Sequence, residues 1–300
     1  MRKAVAAGIA AVAVAVAGCA DDIDDSAAPS ATQTSPSVSA STATGTDQLH
    51  LVNLGDSFSA AAGVQPLVAD SPVMCLRSSR NFAHVLATDA GYRLTDVSCS
   101  GADTADFESA QYDGVPPQLD ALTDEADIVT VMIGGNDSDL YSTAIRECAD
   151  LAARDLSGSP CADTRGSEYV DIVENQTAPA LLEALQAVRD RAPNAEILAV
   201  GYPWILPPAD GCYPAMPVAT GDVTYLRQLQ SVLNAALQRG AEQTGARFVD
   251  MAPGSEGHDA CAPVRQRWIE PRNGASGAAP VHPNAAGQQA IAGAVAAALE

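Results

Sequence analysis

Four short polar segments of this 300-residue chain carry residue types that together could activate a nucleophile. The first, Gly55-Asp56-Ser57, closes the apolar run Val52-Asn53-Leu54 and offers a serine hydroxyl. The others are Ser100-Gly101-Ala102-Asp103, Gly134-Gly135-Asn136-Asp137 and Val281-His282-Pro283-Asn284. A serine hydroxyl is a poor nucleophile until a base takes its proton during attack. His282 suits that task, because it lies late in the chain, just before a closing helical stretch that Pro283 and Asn284 are suited to open. Attack on a carbonyl builds negative charge on its oxygen, and preorganised donors there are usually the largest catalytic contribution. The candidate donors are the backbone N–H groups of Ser57 and Gly101 and the side-chain amide of Asn136. Glycine at 101 permits close backbone approach. Taken singly, Ser57 also reads as a helix cap after a strand, and Gly134-Gly135-Asn136-Asp137 as a tight turn. The other histidines read as packing or loop residues: His50 at the start of a strand, His84 in a helical pattern, and His258 near Cys261.

Chemistry of this kind needs a frame that brings the segments to one place. Strands are predicted at 49–54, 93–98, 127–133, 196–201 and 247–250, the third being an almost continuous β-branched run. Helices are predicted at 83–90, 169–191, 225–244 and 285–299. Alternating strands and helices indicate a parallel sheet buried on both faces. Right-handed crossovers then give an α/β domain of three α/β/α layers. Ligands in such sheets collect beyond the carboxyl ends of the strands. Ser57, Gly101 and Asn136 each follow one of the first three predicted strands, so all three fall on the same edge.

Ser57, Gly101, Asn136 and His282 match in order the Ser, Gly, Asn and His for which the SGNH (GDSL-type) hydrolases are named. The chain thus resembles this family of serine esterases and lipases across nearly the whole predicted domain. The resemblance implies a flavodoxin-like, five-stranded sandwich and ester hydrolysis through an acyl-enzyme on Ser57. It departs from the family at one position. Members usually carry aspartate three residues before the histidine, where this chain has Ala279. A triad carboxylate holds the tautomer and orientation of the imidazole and stabilises the imidazolium. Some secreted members replace it with a main-chain carbonyl, which implies a Ser57–His282 dyad with the carbonyl of Ala279 accepting from the ring. The competing expectation is a carboxylate from another loop, Asp259 or Glu270. Asp56 is expected to be a structural acceptor, and Trp204 and Trp268 could wall an acyl site.

Composition narrows the setting. The net charge of −21 argues against nucleic-acid binding, since there is little basic surface to neutralise phosphates. No phosphate loop, metal cluster or dinucleotide fingerprint occurs, so no cofactor is expected. Arg2 and Lys3 followed by apolar residues 4–17 read as a signal peptide over 1–18, and Val16-Ala17-Gly18-Cys19 resembles a lipobox that would lipidate Cys19. Residues 19–47, rich in Ser, Thr, Ala and Pro, read as a disordered tether, leaving 48–300 as the hydrolase domain. The expected location is the outer face of a membrane or the medium, with the anchor as the only membrane contact and a monomeric domain. Beyond Cys19, six cysteines in an exported chain favour disulfides, and six allow fifteen pairings. The resemblance implies the sequential set Cys75–Cys99, Cys148–Cys161 and Cys212–Cys261. It also implies a lipid-like or short-chain acyl ester as substrate. The alternatives are a carbohydrate O-acetyl esterase, or a surface lipoprotein that binds without catalysis.

Overall fold

The computed structural model describes residues 48–300; the expected signal peptide, the expected tether and Cys19 lie outside the described residues. Five strands form one all-parallel sheet in the order β2-β1-β3-β4-β5. They are β1 (His50–Gly55), β2 (Arg93–Asp96), β3 (Ile128–Met132), β4 (Glu196–Val200) and β5 (Arg247–Val249). The central strand β3 and its neighbour β1 are buried along their whole length, as mostly apolar strands of a doubly covered sheet should be. Asn53 and Thr130 are satisfied inside the layer: Thr130 and Ser59 donate to Asn53 Oδ1, and Asn53 Nδ2 donates to Asp96.

The helices are α1 (Ser57–Ala60), α2 (Phe82–Ala90), α3 (Leu140–Ala152), α4 (Pro160–Arg165), α5 (Glu168–Ile172), α6 (Ala178–Arg191), α7 (Asp222–Thr244) and α8 (Ala285–Leu299). The β1–α2–β2 crossover moves one way along the sheet and β3–α6–β4–α7–β5 the other. Right-handed connections therefore put α2 on one face and α6 and α7 on the opposite one. α8 packs on α2, and α6 on α7. The direction in which successive strands are added reverses between β1 and β3, which is where the switch-point rule places a ligand in a 2-1-3-4-5 sheet.

Three elements differ from the expectations. The stretch expected as one helix over 169–191 carries a π turn at Val173–Thr177 between α5 and α6. Pro179 lies in the first turn of α6 and has no N–H to donate, and a local π turn is one way to absorb the missing bond. Helices α3 and α4 were not anticipated; the disulfide Cys148–Cys161 joins them. The remaining pairs are Cys75–Cys99 and Cys212–Cys261, so the sequential set is the one formed.

Candidate active site

β1 ends where the backbone turns sharply into α1. Gly55 takes φ +144°, and a Cβ there would lie 2.4 Å from the Met132 carbonyl oxygen, so no side chain fits at this approach of β1 to β3. Asp56 caps α1, its carboxylate accepting from Phe58 N–H at 2.8 Å, and Ser57 becomes the first helical residue. The second oxygen of Asp56 accepts from the Tyr202 hydroxyl at 2.5 Å, and that hydroxyl accepts from Gly135 N–H at 3.1 Å. One buried chain of hydrogen bonds thus fixes the serine turn to the glycine turn after β3. Asp56 is the structural acceptor the sequence suggested. Burial pushes its carboxyl up to about 7, against the opposing bonds from Tyr202 and Phe58.

The segment after β2 is clamped at both ends. Cys99 N–H donates to Gly55 O at 2.9 Å, and Asn136 Nδ2 donates to Ala102 O at 2.8 Å. Gly101 lies between these ties with φ +82°. A Cβ there would meet Gln111 Nε2 at 3.4 Å, an ordinary contact, so within the protein it is the left-handed backbone that calls for glycine. An amide NH2 has two hydrogens, and the bond to Ala102 leaves the second on Asn136 uncommitted. Asp137, next in the chain, accepts from both the N–H and the hydroxyl of Thr104, joining the loops after β2 and β3. Burial raises its carboxyl to about 6 despite those bonds.

His282 arrives from the other direction. Its Nε2 is 2.8 Å from Ser57 Oγ, and its Nδ1 is 2.7 Å from a backbone carbonyl. A carbonyl only accepts, so Nδ1 carries the proton and Nε2 is free to accept from the serine. The ring's pKa is lowered by burial, opposed by the bond to that carbonyl, so the neutral base predominates near pH 7. The carbonyl belongs to Pro280, which corrects the expectation of Ala279; the Ala279 oxygen instead accepts the backbone N–H of His282 at 3.2 Å. The physical reason is Val281, which takes φ +65° between them, a conformation β-branched residues rarely adopt.

Ser57, Asn136 and His282 line one cavity of about 310 Å³, whose apolar walls include Phe58, Tyr141, Ile145, Ile205, Leu233 and Val281. Gly101 is not among its lining residues. A pocket of this size and character suits a small apolar ligand.

The sequence profile of the GDSL-like Lipase/Acylhydrolase family matches residues 54–290. Lipase 2 of Streptomyces coelicolor is 46% identical over 297 residues, covering 97% of this chain and 95% of that protein. The chain belongs to this family. It is a carboxylic ester hydrolase. Two solved structures share the fold: phospholipase A1 from Streptomyces albidoflavus (TM-score 0.70, 24% identity) and the extracellular lipase from Streptomyces rimosus (TM-score 0.69, 23% identity). Each alignment covers 83% of this chain and 99% of the other.

Within this GDSL-type frame several sequence candidates are placed away from the chemistry. Asp259 accepts from Cys261 N–H, and Glu270 accepts from Arg267, Asn284 and Ser276 N–H, so neither carboxylate reaches the ring of His282. Trp204 is covered by the Arg227 guanidinium at 3.8 Å, and Trp268 stacks on His258 with centroids 4.2 Å apart. Neither tryptophan lines the cavity, which corrects the proposed acyl wall. His50 and His84 bond to Thr95 and Asn81, the packing roles expected of them. Two groups escaped the sequence reading. Tyr202 follows β4, as Ser57 follows β1, and could have been flagged by that position. Tyr141 and Ile145 sit four apart on α3, a helical spacing visible in residues 140–152.

Proposed function

We propose that Ser57 attacks the carbonyl of an acyl ester, that His282 shuttles the proton, and that water then releases the acyl group from Ser57. The observation that carries this reading is the Nε2–Oγ distance of 2.8 Å in a ring whose other nitrogen is held by the Pro280 carbonyl. The carbonyl orients the ring and fixes its tautomer, two of the tasks of a triad carboxylate, and its dipole supplies part of the third. Ser57 N–H, Gly101 N–H and the free hydrogen of Asn136 Nδ2 are assigned to the oxyanion. The clamped loop around Gly101 and the buried tie through Tyr202 support that assignment, because donors fixed before reaction need no reorganisation in it.

The substrate is a lipid-like or short-chain acyl ester. The apolar side chains on the cavity wall favour an acyl chain over the bare acetyl group of a decorated sugar. The lipases among the relatives point the same way. Three disulfides support export to an oxidising compartment, and a tether from a lipidated Cys19 would hold the domain at a membrane surface.

The test is intact mass after fluorophosphonate treatment of residues 48–300, beside Ser57→Ala. One adduct on the wild type and none on the variant is expected. A folded wild type that takes no adduct points to binding without catalysis. Faster cleavage of acetylated xylan than of p-nitrophenyl butyrate would move the substrate to the carbohydrate alternative.

A further inference from the structure

Among the described residues fourteen arginines are the only permanent cations, in a chain of net charge −21. Eight of them pair with carboxylates, while Arg146 and Arg272 make no ion pair among the described residues. Both line the active-site cavity. Arg272 Nη1 donates to Ile145 O at 3.2 Å, which sets its guanidinium against α3 at the residue next to Arg146. Arg146 itself makes one long bond, 3.4 Å, to Thr143 Oγ1. A guanidinium has five N–H donors, so most of those on both groups stay uncommitted. The one carboxylate in the cavity lining, Asp56, is already taken by Tyr202 and Phe58.

The cavity is therefore graded. Ile145, Ile205 and Leu233 are buried, Arg272 is partly exposed and Arg146 is exposed, so apolar walls give way to two cations. The protein's overall field repels anions, and the positive spot is not part of a generally basic surface. From this juxtaposition we propose that Arg146 and Arg272 form a phosphate-binding subsite, and that the preferred substrate is an acyl ester whose alcohol part carries a phosphate. The acyl chain occupies the apolar wall and the phosphate meets the two guanidiniums. Two planar forks suit the several oxygens of one phosphate better than the two of a carboxylate. This specificity rests on the ester-hydrolase reading above, whereas the anion site itself does not.

The experiment compares kcat/KM for 1-hexanoylglycerol and 1-hexanoylglycerol 3-phosphate, both monomeric, on wild type, the double variant R146Q/R272Q and the control R154Q. The wild type is expected to prefer the phosphate ester by about tenfold or more, roughly what one charge-assisted hydrogen bond contributes. That preference should narrow as ionic strength rises from about 0.05 to about 0.5 M. The double variant should lose the preference and R154Q keep it. A wild type without preference, or a double variant with the same ratio as wild type, overturns the subsite. Calorimetric binding of glycerol 3-phosphate, glycerol and inorganic phosphate provides a reading independent of turnover. Glycerol 3-phosphate bound by wild type and not by R146Q/R272Q, with inorganic phosphate weaker and glycerol silent, supports a headgroup site. Inorganic phosphate binding equally well overturns the headgroup and leaves only a free-anion site. A protein that binds glycerol 3-phosphate in this way yet cleaves neither ester retains the anion site and overturns the hydrolase reading instead.

Discussion

The two halves of the site are built by different means. The serine side stands on the ends of β1, β2 and β3, with Gly55, Cys99 and Asp56 tied by backbone bonds and Asp56, Tyr202 and Gly135 by a buried chain. The histidine side is loop from β5 to α8 apart from one 3₁₀ turn. It is held by Glu270 N–H to His282 O, Val281 N–H to Glu270 O, Asn284 N–H to Trp268 O and Ala279 N–H to Ala62 O. Regular structure positions the proposed nucleophile and the proposed oxyanion turn, where a sheet edge offers three neighbouring chain ends. The proposed base, His282, is positioned by a few crossing bonds and by a left-handed Val281, a local cost of about 1–3 kcal/mol. The surrounding bonds must hold that residue in place for the Pro280 carbonyl to face the ring.

If the two sides act as one unit, Ser57→Ala and His282→Ala should each lower kcat on a p-nitrophenyl ester by about 10⁴-fold or more, and the double variant should be no worse than either. Additive losses would separate them. Asn136→Ala should cost about 10²–10³ in kcat with little change in KM, and lose the tie to Ala102 O as well. The lowered pKa of His282 gives a pH test. The ring must be neutral to accept a proton, so activity falls as pH drops through its pKa, and the acid limb of kcat/KM should lie below 6.5. A midpoint above 6.5 would indicate a carboxylate on the ring. Tyr202→Phe removes the donor to Asp56 and leaves Gly135 N–H without its acceptor, so denaturant unfolding should show a loss of about 1–3 kcal/mol. Asp259→Asn should change turnover least, by less than about tenfold, since its carboxylate serves only Cys261 N–H. A thousand-fold loss there would replace the Pro280 carbonyl with an acid and undo the contrast between the two sides.

The serine side was the more legible in the sequence, and for a reason tied to the fold. Parallel strands between helices leave one carboxyl edge, so polar residues just past 54, 98 and 133 had to converge there whatever the loops did. Gly55, Gly101 and Asn136 announce themselves because tight turns restrict which residues can occupy them. Tyr202 went unread because its partner, Asp56, lies 146 residues away, and nothing local marks a buried hydroxyl as a bridge. Helix α3 was readable from the spacing of Leu140, Tyr141, Ala144, Ile145 and Cys148. Its apolar positions are interleaved with Arg146, Glu147 and Asp150, which diluted the pattern.

By itself, the sequence determined the residue types that can do the chemistry, the strand ends that carry three of them, and the absence of an aspartate at position 279. Those properties are local, set by side-chain chemistry and by backbone preferences within a few residues. Tertiary structure decided that Pro280 rather than Ala279 faces the ring, that Asp259 and Glu270 are engaged elsewhere, and that Arg146 and Arg272 share a cavity with Ser57. Those outcomes depend on which loops cross, and the 225 residues between Ser57 and His282 are joined only when the sheet and its covering helices have packed.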